Sequence, residues 1–111
     1  MDLRCPCCGV QQLDHKLPYM AEEMKRRVFD KWPGFNLVAT SGYRCRKHNA
    51  EIPGAAKFSL HMAGMAIDFL VPQSKQAAFA ALARQVGFNG VGFYRWGCHV
   101  DLGKVREWKV T

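Results

Sequence analysis

Two short stretches concentrate side chains that can hold a metal. One runs Ser59-Leu60-His61-Met62-Ala63-Gly64-Met65-Ala66-Ile67-Asp68, and the other, near the C-terminus, is Cys98-His99-Val100-Asp101. Together they offer two imidazoles and two carboxylates, the ligand chemistry of a zinc site that keeps one position open. His61 and Asp68 are seven residues apart, too far for the one-turn pairing of an HExxH helix, so they are expected to converge where a loop enters a strand. His99 completes the set from an adjacent strand. Two neutral imidazoles and one carboxylate leave a fourth tetrahedral position for water, whose pKa a metal lowers toward neutrality. Chemistry of that kind hydrolyses amides, and the pattern reads as a metallohydrolase core.

The surrounding elements must bring these groups together. From Met65 to Val71 the pattern alternates, with Met65, Ile67, Phe69 and Val71 on one face and Ala66, Asp68 and Leu70 on the other. Gly90 to Tyr94 and Cys98 to Leu102 read as a hairpin turned through Arg95-Trp96-Gly97. In its second strand Cys98, Val100 and Leu102 share the core face, which leaves His99 and Asp101 together on the face that can meet Asp68.

Two helices frame that sheet. Leu17 to Trp32 carries apolar residues at three- and four-residue spacing, with Asp14 as the expected N-cap and Pro33-Gly34 as the stop. Ser74 to Val86 follows Pro72 and buries Ala78, Phe79, Leu82 and Val86. A short strand, Phe35 to Thr40, leads through Ser41-Gly42-Tyr43-Arg44 into an irregular or briefly helical stretch, so Arg44 lies just past a strand end. His48 and Asn49 are expected to shape the loop after Arg44, and Lys104 to Thr111 alternates as an edge strand would. The fold class is therefore α+β, a small antiparallel sheet packed against two main helices.

At 111 residues the chain reads as one domain, 1–111, with a cysteine-rich N-terminal segment, 1–14. No apolar run approaches the roughly 20 residues that a membrane span needs. Sixteen basic against nine acidic residues give a net charge of +7, which favours polyanionic surroundings without choosing among them. Regular interleaving of basic and aromatic residues is missing, so no specific nucleic-acid partner is expected. The start of the sequence, Met1-Asp2-Leu3-Arg4, lacks the basic-then-apolar order of a signal peptide, which places synthesis in the cytoplasm.

Five cysteines, Cys5, Cys7, Cys8, Cys45 and Cys98, form an odd set, unlike a secreted disulfide framework. Cys5 to Cys8 is a CxxC, and Cys45 to His48 is a CxxH, so spacing allows a second, structural zinc site. The competing readings are reduced thiols or one bridge from the N-terminal cluster to Cys45. The long interval between the two pairs argues against the zinc.

The ordered motifs go further. Ser59-x-His61-x-x-Gly64-x-Ala66-x-Asp68, preceded by Ser41-Gly42-Tyr43-Arg44 and followed by Gly90-Val91-Gly92-Phe93-Tyr94 and His99-Val100-Asp101, resembles the zinc D-Ala-D-Ala carboxypeptidase family. That family includes phage and bacterial murein endopeptidases and shares the hedgehog-type fold. The resemblance runs from about Leu37 to Trp108, within a family core of 35–108. It implies one catalytic Zn2+ held by His61, Asp68 and His99, and an Arg44 guanidinium facing the substrate carbonyl or carboxylate. Ser59 is expected to support the site or touch substrate, with Tyr94 and Trp96 as cleft walls or hairpin packing. Gly64 and Ala66 are expected to be small because the chain passes close to a neighbouring element.

One feature departs from the better-known members, which place a Glu or Asp shortly before the last histidine ligand. Here those positions are Arg95, Trp96, Gly97 and Cys98. The His-x-Asp ending makes Asp101 the candidate general base, its other role being to orient a ligand. The resemblance thus implies a zinc peptidase, carboxypeptidase or endopeptidase, acting on peptidoglycan peptides in the periplasm or cell wall; by analogy it suits an endolysin-like enzyme of phage origin, and a monomer is expected. The alternative is a zinc-stabilised domain that binds cell wall or protein without catalysis.

Overall fold

The computed structural model describes residues 1–110. Helix α1, Leu17–Lys31, packs through Leu17, Ala21, Met24 and Val28, the apolar stripe that the spacing predicts. Its start differs from expectation: Lys16 occupies the N-cap and no side chain caps the helix. Asp14 acts just upstream, its Oδ1 accepting the Lys16 N–H at 2.9 Å and its carbonyl the Leu17 N–H at 2.9 Å. Strand β1, Val38–Ser41, and the six-residue helix α2, Arg46–Glu51, follow. The expected strand at Phe35 thus begins later, and the brief helix after Arg44 is present.

Strand β2, Ala66–Leu70, and helix α3, Gln76–Val86, are joined through a single 3-10 turn over Gln73–Lys75. Strands β3, Gly90–Phe93, and β4, Gly97–Asp101, form the expected hairpin, and β5, Arg106–Lys109, is the edge strand at the tail. Thr111 of the expected tail strand lies outside the described residues.

The sheet runs β1-β2-β4-β3-β5. It is antiparallel across four strands, but β5 pairs parallel with β3, so the sheet is mixed where a wholly antiparallel one is predicted. The turn after Asp101 reverses the chain yet carries it over the end of β3. Asn89 braces that crossing, its backbone N–H bonded to the Asp101 carbonyl at 2.9 Å and its side chain to the Gly103 carbonyl at 3.1 Å.

One face of the sheet makes the core. Ile67, Phe69, Val91, Cys98 and Val100 are fully covered by α1 and α3, and Phe69 meets Phe79 of α3 edge-on at 5.7 Å. Each buried Val, Ile or Phe among them stabilises the fold by about 1.5–3 kcal/mol. Period-two alternation then forces Asp68 and His99 onto the opposite face, where the β2–β4 register sets them directly across from each other. No helix among the described residues is long and apolar enough to cross a membrane.

Candidate active site

His61 reaches the polar face of the sheet from the turn that precedes β2. Ser59 Oγ accepts the His61 N–H at 3.1 Å, which fixes the bend. Gly64 completes it: its φ of 70° is left-handed, and a Cβ there would collide with the Gln12 carbonyl. The Asp14 N–H bonds the Gly64 carbonyl at 2.9 Å, so the close neighbour expected from this small residue is the N-terminal segment.

The three groups named from the sequence converge. Asp68 Oδ1 lies 3.2 Å from His61 Nε2 and 2.9 Å from His99 Nδ1. One ligand atom from each residue falls within 4.8 Å of the others. The outward nitrogens are equally fixed, His61 Nδ1 on the Gly42 carbonyl at 2.8 Å and His99 Nε2 on Asp101 Oδ2 at 2.8 Å. Each ring therefore turns one nitrogen toward Asp68 and has the other held by an oxygen, the outer support that metal-binding imidazoles carry. Zinc bonds of about 2.0–2.2 Å to nitrogen and oxygen give tetrahedral edges of about 3.3–3.6 Å, so this donor set fits a zinc ion once the side chains part by a few tenths of an ångström.

Electrostatics favour ionised Asp68. Burial alone would raise its pKa, but hydrogen bonds from His61 and His99 outweigh that and hold the carboxyl well below the usual carboxylate range. For His99, burial disfavours the cation, yet the flanking Asp101 and Asp68 carboxylates raise its pKa overall. A metal held there would compete with a proton at His99 Nδ1.

Asp101 sits behind His99, away from the other two ligand-type groups. It is wholly buried at 0% exposure, its Oδ2 also taken by Arg106 Nη2 at 3.2 Å and its Oδ1 by the Gly103 N–H at 2.9 Å. Burial would raise its pKa, but the His99 and Gly103 hydrogen bonds and the Arg106 charge lower it. Gly90 across the strand pair makes the room, since a Cβ there would strike the Asp101 carboxylate.

Arg44 enters from the loop after β1. Its Nη2 lies 3.3 Å from Asp68 Oδ2, its Nε bonds Ser41 Oγ at 3.0 Å, and its Nη1 bonds Asn49 Oδ1 at 3.4 Å. Burial lowers its pKa against the attraction of Asp68, and a guanidinium stays charged all the same. Asn49 is buried in turn and donates to the Ala56 carbonyl at 2.9 Å. The loop-shaping role expected of Asn49 is therefore aimed at Arg44 itself, while His48 contributes only its backbone, an N–H to Cys45 Sγ at 3.4 Å.

A cleft of about 350 Å³ opens over these groups, walled by the 52–56 loop, Ser59, Tyr94 and Trp96. Tyr94 and Trp96 stack with centroids 4.9 Å apart. Asp68 is the only carboxylate on its lining among the described residues, and Asp101 is not part of it. Two residues not singled out from the sequence brace the rim: Trp108 packs 5.3 Å from His99 and donates its indole N–H to Tyr94 Oη at 2.9 Å, while Arg106 lies 4.2 Å above the Trp108 ring. The signal available for Trp108 is Gly92, which faces it across β3 and β5 and has no space for a Cβ.

Comparison with known proteins bears on these positions. The chain is 38% identical over 78 residues to the probable peptidoglycan L,D-endopeptidase MepK of Haemophilus influenzae, an alignment covering 68% of this chain and 40% of that protein. It therefore spans well under half the length of this relative. The model of the family described as Peptidase M15 matches residues 6–103, a stretch that begins in the cysteine knuckle and takes in Arg44, His61, Asp68, His99 and Asp101. On a match of that extent, which bears out the resemblance carried by the ordered motifs, the chain belongs to the peptidase M15 family.

Proposed function

We propose that the chain is a zinc-dependent peptidase that cleaves peptide bonds in the stems or cross-links of peptidoglycan, acting as an endopeptidase at the cell wall. One observation carries the zinc dependence: His61 and His99 both aim a nitrogen at Asp68 while an oxygen holds the opposite nitrogen of each ring. The name of the MepK relative supports the substrate and the endopeptidase mode, and the net charge of +7 suits an anionic wall.

His61, Asp68 and His99 would hold the zinc, which when bound supplies Lewis-acid polarisation of a carbonyl and lowers the pKa of water. The chain's own residues do the rest. Arg44 presents a fixed cation beside Asp68, placed to stabilise negative charge that develops on the substrate carbonyl oxygen. Ser41 and Asn49 hold that guanidinium in one orientation before substrate arrives. Tyr94, Trp96 and the 52–56 loop wall the cleft in which the peptide would lie. Asp101 keeps the His99 ring oriented and raises its basicity toward the metal. Ser59 fixes the His61 turn.

A second reading rests on the cleft lining. With Asp68 the sole carboxylate there among the described residues, the site suits a zinc-stabilised domain that binds wall peptides without cutting them. Purified protein on murein sacculi, with zinc and then with chelator, separates the two. Release of new amino termini that chelator abolishes and zinc restores is the expected result. Retained binding to sacculi with no released peptide at full zinc occupancy would sink the peptidase reading, and mass spectrometry of released fragments identifies the scissile bond.

A further inference from the structure

A second concentration of ligand-type side chains lies away from the His–Asp–His cluster. Cys5, Cys7, Cys8 and Cys45 bring four sulfurs within 4.8 Å of one another. Cys7 Sγ stands 3.3 Å from Cys45 Sγ and 3.7 Å from Cys5 Sγ. A disulfide needs about 2.05 Å, and none is formed. Zinc–sulfur bonds of about 2.3 Å give a tetrahedral edge of about 3.8 Å, close to what these sulfurs already show.

The backbone around the cluster is arranged for thiolates. The Cys5 N–H bonds the Val10 carbonyl at 2.8 Å and the Gly9 N–H bonds the Cys5 carbonyl at 2.8 Å, which closes the Cys5-Pro6-Cys7-Cys8-Gly9 stretch into a knuckle. Two backbone N–H groups point at sulfur: Cys45 N–H to Cys5 Sγ at 3.5 Å and His48 N–H to Cys45 Sγ at 3.4 Å. Such donors offset the negative charge of metal-bound thiolates. The His48 ring is outside the cluster, so the CxxH pairing that spacing allows is replaced by Cys7 as the fourth ligand-type group.

We propose that Cys5, Cys7, Cys8 and Cys45 bind one structural zinc ion that clips the N-terminal segment to the Arg44-bearing loop. Four thiolates select a soft or borderline metal over magnesium or calcium and leave no position open for substrate. Binding releases the thiol protons to solvent. The clip adjoins the loop that carries Arg44 to the cleft. The Tyr43 N–H bonds the Leu3 carbonyl at 2.9 Å, Leu3 is buried in the core, and a Cβ on Gly42 would come within 2.7 Å of Leu3. The same Gly42 offers its carbonyl to His61, and Arg44 immediately precedes Cys45. This metal is therefore a positioning element for the loop that orients His61 and Arg44.

The test counts metal on the full chain, with Cys7→Ser, an exposed position, and Asp68→Ala as separating variants. Wild type is expected to hold one zinc more than Cys7→Ser. A mercurial thiol reagent should release one zinc per chain from wild type and from Asp68→Ala, and none from Cys7→Ser. Cobalt-loaded Asp68→Ala should show intense sulfur-to-cobalt charge-transfer absorption that Cys7→Ser lacks. Should Asp68→Ala not fold, the wild-type and Cys7→Ser difference decides alone. Equal zinc in those two proteins, a Cys7–Cys45 disulfide found by mass spectrometry, or iron in place of zinc would overturn the proposal. Because the thiol-released metal is read without hydrolysis, failure of the peptidase reading leaves this result standing.

Discussion

The two sulfur- and imidazole-rich clusters are built in opposite ways. Asp68 and His99 are placed by a sheet, facing each other across the β2–β4 register with apolar neighbours pinned into the core on the other face. Cys5, Cys7, Cys8 and Cys45 are placed by two loops that meet edge to edge, with two of the four exposed. A sheet fixes geometry before any metal arrives, whereas loops gain their geometry from the bond itself. The first arrangement suits chemistry, which needs preorganised groups, and the second suits a fastening. His61 and Arg44 belong to both regimes, since loops carry them while their partners sit on the sheet.

The largest effect expected on either side of this comparison comes from Asp68. Asp68→Ala removes the acceptor shared by two imidazoles and a guanidinium. Hydrolysis of wall peptides should fall to the uncatalysed background, and the metal-free protein should lose about 3–5 kcal/mol by urea denaturation because buried partners are left unpaired. Activity above about one per cent of wild type, a loss under about 2.7 kcal/mol in the barrier, would show that the sheet-built cluster is not the reaction centre.

Next comes Arg44, the loop residue proposed to face the substrate carbonyl. Arg44→Ala should lower kcat by about 10²–10³ with a smaller change in KM. Arg44→Lys should restore little, because an ammonium cannot keep the Ser41 and Asn49 contacts while facing Asp68. A change confined to KM would reduce Arg44 to ground-state binding and widen the gap between loop and sheet.

Legibility in the amino-acid sequence follows the same division. Period-two alternation alone puts Asp68, His99 and Asp101 on one face, because a strand offers a side chain only two directions. Apolar residues at three- and four-residue spacing locate both helices, and alternation locates the hairpin. Backbone partners leave no trace: the Gly42 carbonyl that holds His61 belongs to a residue with no side chain to read. The parallel pairing of β5 escapes because alternation records faces and not direction. For the cysteines, the gap of 40 residues between Cys5 and Cys45 argues against a shared site, yet the loop after β1 returns to the chain's start. The Tyr43–Leu3 hydrogen bond closes that distance, and neither residue type announces it.

Asp101 tests how far the sheet's preorganisation extends behind the proposed metal ligands. Its carboxylate is fully committed to His99, Arg106 and Gly103. Asp101→Asn should therefore weaken zinc affinity about 10- to 100-fold, with hydrolysis recovering as zinc is raised in a titration. The alternative, that Asp101 is the proton acceptor, gives the opposite outcome: lost turnover at full zinc occupancy. Measuring metal content and rate on the same samples decides between them.

The smallest effect belongs to a residue that the loops hold out toward solvent. Trp96 is 41% exposed and stacks on Tyr94 at the cleft mouth. If it serves as a wall for the peptide, Trp96→Ala forfeits an aromatic contact worth about 0.5–1.5 kcal/mol, a rise in KM of about two- to tenfold, with kcat unchanged. A fall in kcat instead would mean that the ring also steadies Tyr94, and through Tyr94 the Trp108 indole packed beside His99. The split between KM and kcat thus measures whether the loop-built rim of the cleft merely receives substrate or is mechanically continuous with the sheet-built ligands beneath it.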